Sequence, residues 1–123
     1  MPYVTVGLEY HGQFVELQNV LLDTGSAGSV FSTDKLLAIG IQYEPNDEVR
    51  RIRGVGGSEF VFVKKIGRIT LRAIQINDFI IEVGAMDYGF EIDGIIGMDF
   101  LIQAGAVIDL NCLVIKEKKK HAN

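Results

Sequence analysis

Tryptophan is missing from this chain, and cysteine, proline and histidine are nearly so: Cys112, two prolines and two histidines among 123 residues. A single cysteine excludes an internal disulfide and favours a reducing compartment, so a cytoplasmic location is the expectation. One cysteine and two histidines far apart in sequence supply no zinc ligand set. Nor does any serine or cysteine have a histidine base in its sequence context; His11, beside Gly12, reads as a turn residue. No stretch approaches the roughly 18 consecutive apolar residues of a membrane span. Met1-Pro2-Tyr3-Val4-Thr5 carries neither the basic nor the hydrophobic segment of a signal peptide, and no tandem repeat or low-complexity tract is visible.

The composition that remains is ordinary for a globular chain, 48% apolar and 23% charged, enough to build a core. The length suits one domain over 1–123, with a core from about 3 to 115 and a basic tail over 116–123. The net charge of −4 conceals two blocks. Arg50, Arg51, Arg53, Lys64, Lys65, Arg68 and Arg72 face a single acid, Glu59. From Asp78 through Glu82 and Asp93 to Asp109 there is no base. The basic block lacks the interleaved aromatics of a nucleic-acid surface, so no nucleic-acid partner is expected. The blocks are read as solvated strand faces at opposite poles of the fold.

Along the chain, Tyr3 to Leu8 alternates as a strand with Val4, Val6 and Leu8 on one side. His11-Gly12 turns it, and Phe14 to Leu22 returns, becoming continuously apolar at Val20. Ser29-Val30-Phe31 is a brief extended piece, and Ser32 or Thr33 caps a short helix closed by Gly40. Residues 42–48 form a polar loop. Strand-like pieces around Ile52 and from Glu59 to Val63 flank Gly54-Val55-Gly56-Gly57-Ser58, a glycine-rich hairpin tip. The apolar phase slips near Arg72-Ala73, which predicts a bulge or corner. Asn77-Asp78 reads as a turn before a strand over Phe79 to Val83. Gly94-Ile95-Ile96-Gly97 is a short apolar strand, after which Asp99 is expected to cap a helix from Phe100 to Ala104, stopped by Gly105. Ala106 to Leu110 and Leu113 to Ile115 close the chain as a hairpin. Many short strands with one or two brief helices predict an all-β, closed barrel-like domain.

Two stretches carry possible chemistry. In Val20-Leu21-Leu22-Asp23-Thr24-Gly25-Ser26, a buried strand delivers a carboxylate to the edge of the core. Gly25 lets the chain turn there, and the hydroxyls of Thr24 and Ser26 can bond backbone groups or the carboxylate. The same pattern is compatible with a structural Asp-x-Gly turn. Glu91-Ile92-Asp93-Gly94-Ile95-Ile96 mimics the middle of a calcium loop. In that register the twelfth position is Phe100, where an acid is required, so no metal is expected.

With these motifs in view, the chain resembles the retropepsins, the single-domain aspartic proteases of retroviral type. Asp23-Thr24-Gly25-Ser26 resembles the catalytic turn of that family, Gly54-Val55-Gly56-Gly57 its flap tip, and Ile95-Ile96-Gly97 with Met98-Asp99-Phe100-Leu101 its hydrophobic-hydrophobic-glycine motif and following helix. The resemblance covers about Tyr3 to Ile115. It implies an acid-protease half fold in which Ile95-Ile96-Gly97 passes behind the catalytic turn, Asp23 is the catalytic acid/base, and Gly54 to Ser58 close over an extended peptide.

The resemblance also implies a homodimer without a cofactor. Hydrolysis in such enzymes uses two carboxylates sharing one proton, since like charges about 3 Å apart cannot both ionise. This chain has one Asp-Thr-Gly, so the second acid is expected from Asp23 of a symmetry mate. Thr24 is then expected to cross-link the two turns. Ser26 is expected to donate to Asp23 and thereby lower the working pH range. The alternatives are a retropepsin-fold dimerisation or interaction module with little turnover, and an unrelated β-barrel binding protein.

Overall fold

The structure, a computed structural model, describes residues 3–54, 57–86, 91–109 and 114–117. Strand β1 (Tyr3–Tyr10) and strand β2 (Gln13–Leu22) form the first hairpin. The turn between them places both His11 (φ 49°) and Gly12 (φ 83°) in the left-handed region, as a two-residue hairpin demands. Inward positions of β1 are Val6, Leu8 and Tyr10. In β2 the pattern changes from alternating to wholly buried at Val20, Leu21 and Leu22. That change has a topological cause. At its far end β2 is flanked on both sides, by β1 and, in parallel, by β7 (Gly94–Ile96).

Strand β3 (Val30–Ser32) leads into α1 (Thr33–Leu36) and a single 3₁₀ turn (Leu37–Ile39), closed by Gly40 at φ 82°. Strands β4 (Val49–Gly54) and β5 (Gly57–Leu71) form a long antiparallel hairpin, and β6 (Ile74–Gly84) pairs along β5. The order β1-β2-β7-β3-β6-β5 returns to β1 through Gly7↔Thr70, Leu8↔Ile69 and Glu9↔Arg68, which closes a six-stranded barrel and leaves β4 outside it. Helix α2 (Met98–Ala104) inserts Phe100 into the core, edge-on to Phe79 with ring centroids 5.8 Å apart. Strands β8 (Ala106–Asp109) and β9 (Val114–Glu117) form a separate two-stranded sheet. The all-β, closed-barrel expectation therefore holds. Among the described residues no helix is long and apolar enough to cross a membrane.

Several local expectations are corrected. The phase slip at Arg72-Ala73 is not a bulge but the two-residue turn between β5 and β6, with Arg72 at φ 55°. Asn77-Asp78 is not a turn. The strand runs through it, and Asp78 absorbs the irregularity at φ 53° while the register on either side is unchanged. The C-terminal strand extends through Lys116 and Glu117, which the sequence assigned to the tail. The two charge blocks do not sit at opposite poles, because β5 and β6 are antiparallel neighbours, with Val63 opposite Glu82.

Nor is the basic block wholly solvated, since Lys64 points inward. Its ammonium lies 2.6 Å from Glu44 and 2.8 Å from Asp47, which fastens the loop over 42–48 to the sheet. Burial alone would lower the lysine pKa, and the hydrogen bonds to Asp47 and Glu44 outweigh it, so Lys64 is held above its usual range. The same bond from Lys64 lowers Asp47.

Candidate active site

Asp23 begins where β2 ends. Its backbone N–H donates to the Ile96 carbonyl at 2.9 Å, which continues the β2–β7 ladder (Leu21↔Ile95, Leu22↔Ile96) one step into the turn. The turn then closes on itself. Gly25 N–H donates to Asp23 Oδ1 at 2.9 Å, and Ser26 N–H to the Asp23 carbonyl at 3.1 Å. Leu22 is buried, Asp23 half-buried, and Thr24 and Gly25 exposed. The carboxylate thus sits where a rigid strand meets solvent, with one oxygen oriented by a backbone donor.

The segment Ile95-Ile96-Gly97 runs beside the turn and leads into further contacts with it. Beyond β7, Met98 N–H donates to the Ser26 carbonyl at 2.8 Å and Asp99 N–H to the Ala27 carbonyl at 3.1 Å. The two motifs, separated by some seventy residues of sequence, are stitched together along their backbones.

Ser26 is a correction. Its hydroxyl donates to the Gly28 carbonyl at 2.8 Å rather than to Asp23, so it shapes the exit from the turn. Substituting Ser26 by alanine is therefore not expected to shift a pH–rate profile by loss of a direct bond to the acid. Asp99 is also corrected. The N-cap of α2 is Gly97, without a side-chain cap bond, and Asp99 lies within the first helical turn. Its carboxylate accepts from Ser29 N–H at 3.0 Å, Ser29 Oγ–H at 2.7 Å and Phe100 N–H at 2.7 Å.

Ser29, fully buried, was not singled out by the sequence, yet its Oγ also accepts from Gly97 N–H at 3.1 Å. Its side chain adds to the backbone bonds that join the Asp23 loop to α2. Ser29→Ala strands the Gly97 donor and removes one of the two bonds to Asp99 Oδ1, and should cost about 1–3 kcal/mol. Thermal unfolding of the variant checks this. The acid of the calcium-loop mimic is likewise structural, since Asp93 Oδ2 accepts from Asn19 N–H at 3.1 Å while Asp93 N–H donates to Asn19 O at 2.8 Å.

The glycine-rich tip lies at the end of the β4–β5 hairpin, which pairs down to Arg53↔Ser58 and Gly54↔Gly57; Val55 and Gly56 fall outside the described residues. The base of this hairpin borders a cleft of about 750 Å³ beside the Asp23 turn, with Gly25 and Gly28 on one wall, Arg50 and Ile52 of β4 on another, and Ile80 and Glu82 of β6 on a third. Asp78, Asp99 and Gln103 also line it, and a concave groove that combines apolar surface with convergent polar groups is the usual form of a ligand site.

Glu82, overlooked in the sequence as one acid of many, lies in this wall and is only 9% exposed. Burial raises its carboxyl above the ordinary 4.5; Arg50 opposes the shift, while Asp99 and Glu48 add to it. A folded value above the unfolded one means that stability is complete below about pH 4.5 and declines as pH rises through the raised value. Glu82→Gln removes that decline. The difference in melting temperature, variant minus wild type, should therefore become more positive from pH 4 to pH 7, which thermal scans at both pH values test.

No curated protein matches the chain. A family model described as Aspartyl protease matches residues 6–100, from within β1 to α2. That span contains the Asp23 turn, the β4–β5 hairpin, β7 and the cleft between them, and on this match the chain belongs to the aspartyl protease family.

Proposed function

We propose that the chain is an aspartic endopeptidase, active as a homodimer in which Asp23 of each copy supplies half of the catalytic dyad. The observation that carries this reading is the Asp23 turn itself. A single half-buried carboxylate ends β2, its backbone is held by Ile96 and its Oδ1 by Gly25 N–H, and the tip beside it, Thr24-Gly25, is exposed. One acid of this kind cannot perform both roles of the reaction. A second copy facing the first across a two-fold axis supplies the other.

In the dyad one carboxylate is ionised and one protonated. The ionised group takes a proton from water as that water attacks the scissile carbonyl carbon, and the protonated group gives its proton to the carbonyl oxygen as charge develops there, which forms a neutral tetrahedral diol. The tetrahedral diol then collapses. Its C–N bond breaks as one diol hydroxyl gives its proton to the now ionised carboxylate and the amine nitrogen takes a proton from the other, which restores the dyad as the acid and amine products leave. Thr24, exposed at the tip, is assigned to pairing with its counterpart. The β4–β5 hairpin with Gly54, Val55, Gly56, Gly57 and Ser58 is assigned to covering an extended peptide and bonding its backbone.

The test is incubation of wild type and Asp23→Asn with a mixed peptide library between about pH 3 and 7, the range over which carboxylates titrate, with the assembly state sized in parallel. Cleavage by the wild type that disappears in the variant is expected. Equal cleavage by both overturns the assignment of Asp23. A demonstrated dimer that cleaves nothing favours a non-catalytic module.

A further inference from the structure

The cleft wall opposite the Asp23 turn contains a carboxylate that the reaction does not use. Glu82 lies on β6 with its backbone N–H bonded to the Ser29 carbonyl at 3.0 Å, which draws β6 against the loop that follows the turn. Its side chain is directed at Gly28, where a β-carbon built on the glycine would stand 2.5 Å from Glu82 Oε1. A side chain at residue 28 would fill the space in front of the acid; glycine leaves it open to the cleft.

The charged groups around Glu82 leave its carboxylate without a close hydrogen-bonded cation. Asp99, on α2, is committed to Ser29 and Phe100 N–H and repels it, as does Glu48. Arg50 is the cation that faces it from β4, and its Nη1 stays 3.8 Å from Glu82 Oε2, beyond hydrogen-bond reach. The guanidinium is also half-exposed and is held by Glu48 through Nε. Val30, Ile52, Phe79 and Ile80 give the cleft its apolar surface, and Asp78 and Gln103 line it as well. A nearly buried acid that faces a partly apolar cleft, and whose one facing cation stands 3.8 Å away and is shared with Glu48, favours a ligand that brings its own positive hydrogen-bond donor.

We infer that Glu82 is a specificity-determining residue, and that the pocket between Gly28, Ile52 and Glu82 takes a lysine or arginine side chain of the substrate, close to the scissile bond. The inference rests on the peptidase reading above. An aliphatic stem would pass along Ile52 and Ile80 while its cationic end meets the carboxylate. Long basic side chains suit such a pocket because their methylenes pack while the charge is paired.

The experiment uses the full-length chain and a position-scanned peptide library in which each residue in turn is lysine, arginine or norleucine, the uncharged stand-in for lysine. At one position the ratio of kcat/KM for lysine over norleucine should be roughly tenfold to a hundredfold in the wild type, the scale of one charge-assisted hydrogen bond. In Glu82→Gln, which keeps the shape, the ratio should fall to near unity. In Gly28→Ala, which crowds the carboxylate, it should fall as well. The same peptides are titrated against Asp23→Asn, where lysine should bind more tightly than norleucine. Cleavage without a basic preference at any position, or a preference unchanged in Glu82→Gln, overturns the assignment of Glu82 and leaves the peptidase reading standing. If the wild type cleaves nothing, the peptidase reading fails, and the binding arm decides the pocket: tighter lysine binding that is lost in Asp23→Asn/Glu82→Gln supports it, and equal binding overturns it.

Discussion

Gly97→Ala is expected to lower the melting temperature by roughly 10 °C or more and to abolish any activity of the Asp23 turn, because a methyl group at this position has no space and no neighbour able to move. A β-carbon on Gly97 would lie 2.5 Å from the Gly28 carbonyl oxygen, 2.6 Å from the Ser26 carbonyl oxygen and 2.8 Å from the Gly28 carbonyl carbon. All three are backbone atoms of the loop that follows Asp23. That loop cannot retreat without breaking Met98 N–H to Ser26 O and Asp99 N–H to Ala27 O. The penalty therefore combines overpacking with lost backbone hydrogen bonds, about 3 kcal/mol or more, a large share of the stability of a domain this size.

Gly12→Ala supplies the contrast. There the φ of +83° is strained for alanine but nothing lies within 4 Å, so the loss should be about 1 kcal/mol. Melting curves of the two variants side by side separate close approach from backbone conformation. Near-equal losses would show that the loop after Asp23 yields, and that β7 does not constrain the turn.

The second large effect concerns dosage. Asp23→Asn alone should reduce cleavage at least about a thousandfold while changing stability by no more than about 0.5 kcal/mol, because asparagine retains the oxygen that accepts from Gly25 N–H. In a dimer with a shared dyad this loss is transmitted to the partner. Mixed in equal amounts with wild type and allowed to exchange, the variant leaves about one quarter of the pairs intact, so activity per wild-type chain should fall to about half. With a ninefold excess of the variant it should fall to about a tenth. An independent monomeric site would show no suppression at any ratio. The titration therefore tests the two-copy site without requiring an identified natural substrate, since any cleaved peptide reports it.

Much of this architecture was legible in the chain because its signals are local. The alternation around Val6 and Leu8, the two-residue turn at His11-Gly12 and the apolar run ending at Asp23 each reflect side-chain periodicity or backbone conformation within a few residues. Gly40 and Gly105, closing their helices at φ 82° and 61°, belong to the same class. The errors at Arg72-Ala73 and Asn77-Asp78 also have a local origin. Both sites contain a residue with positive φ, one reversing the chain and one kinking a continuous strand, and only the pairing of β6 with β5 tells the two apart.

The sequence by itself determined that an acid would stand at the end of a buried strand, followed by a glycine turn and accompanied by a glycine-flanked apolar strand and a glycine-rich hairpin. Those features follow from hydrophobic period and from where glycine permits a turn. Only the tertiary structure decided which polar groups meet. Ser26 turned from Asp23 to the Gly28 carbonyl, Asp99 became the partner of Ser29, Lys64 was drawn inside between Glu44 and Asp47, and Glu82 was brought to the wall of the cleft. The reason is physical. A hydrogen bond or ion pair between residues 17 to 70 positions apart leaves no periodic trace along the chain, only folding brings such partners within reach, and the path of the loop after Asp23 sets the partner of Ser26.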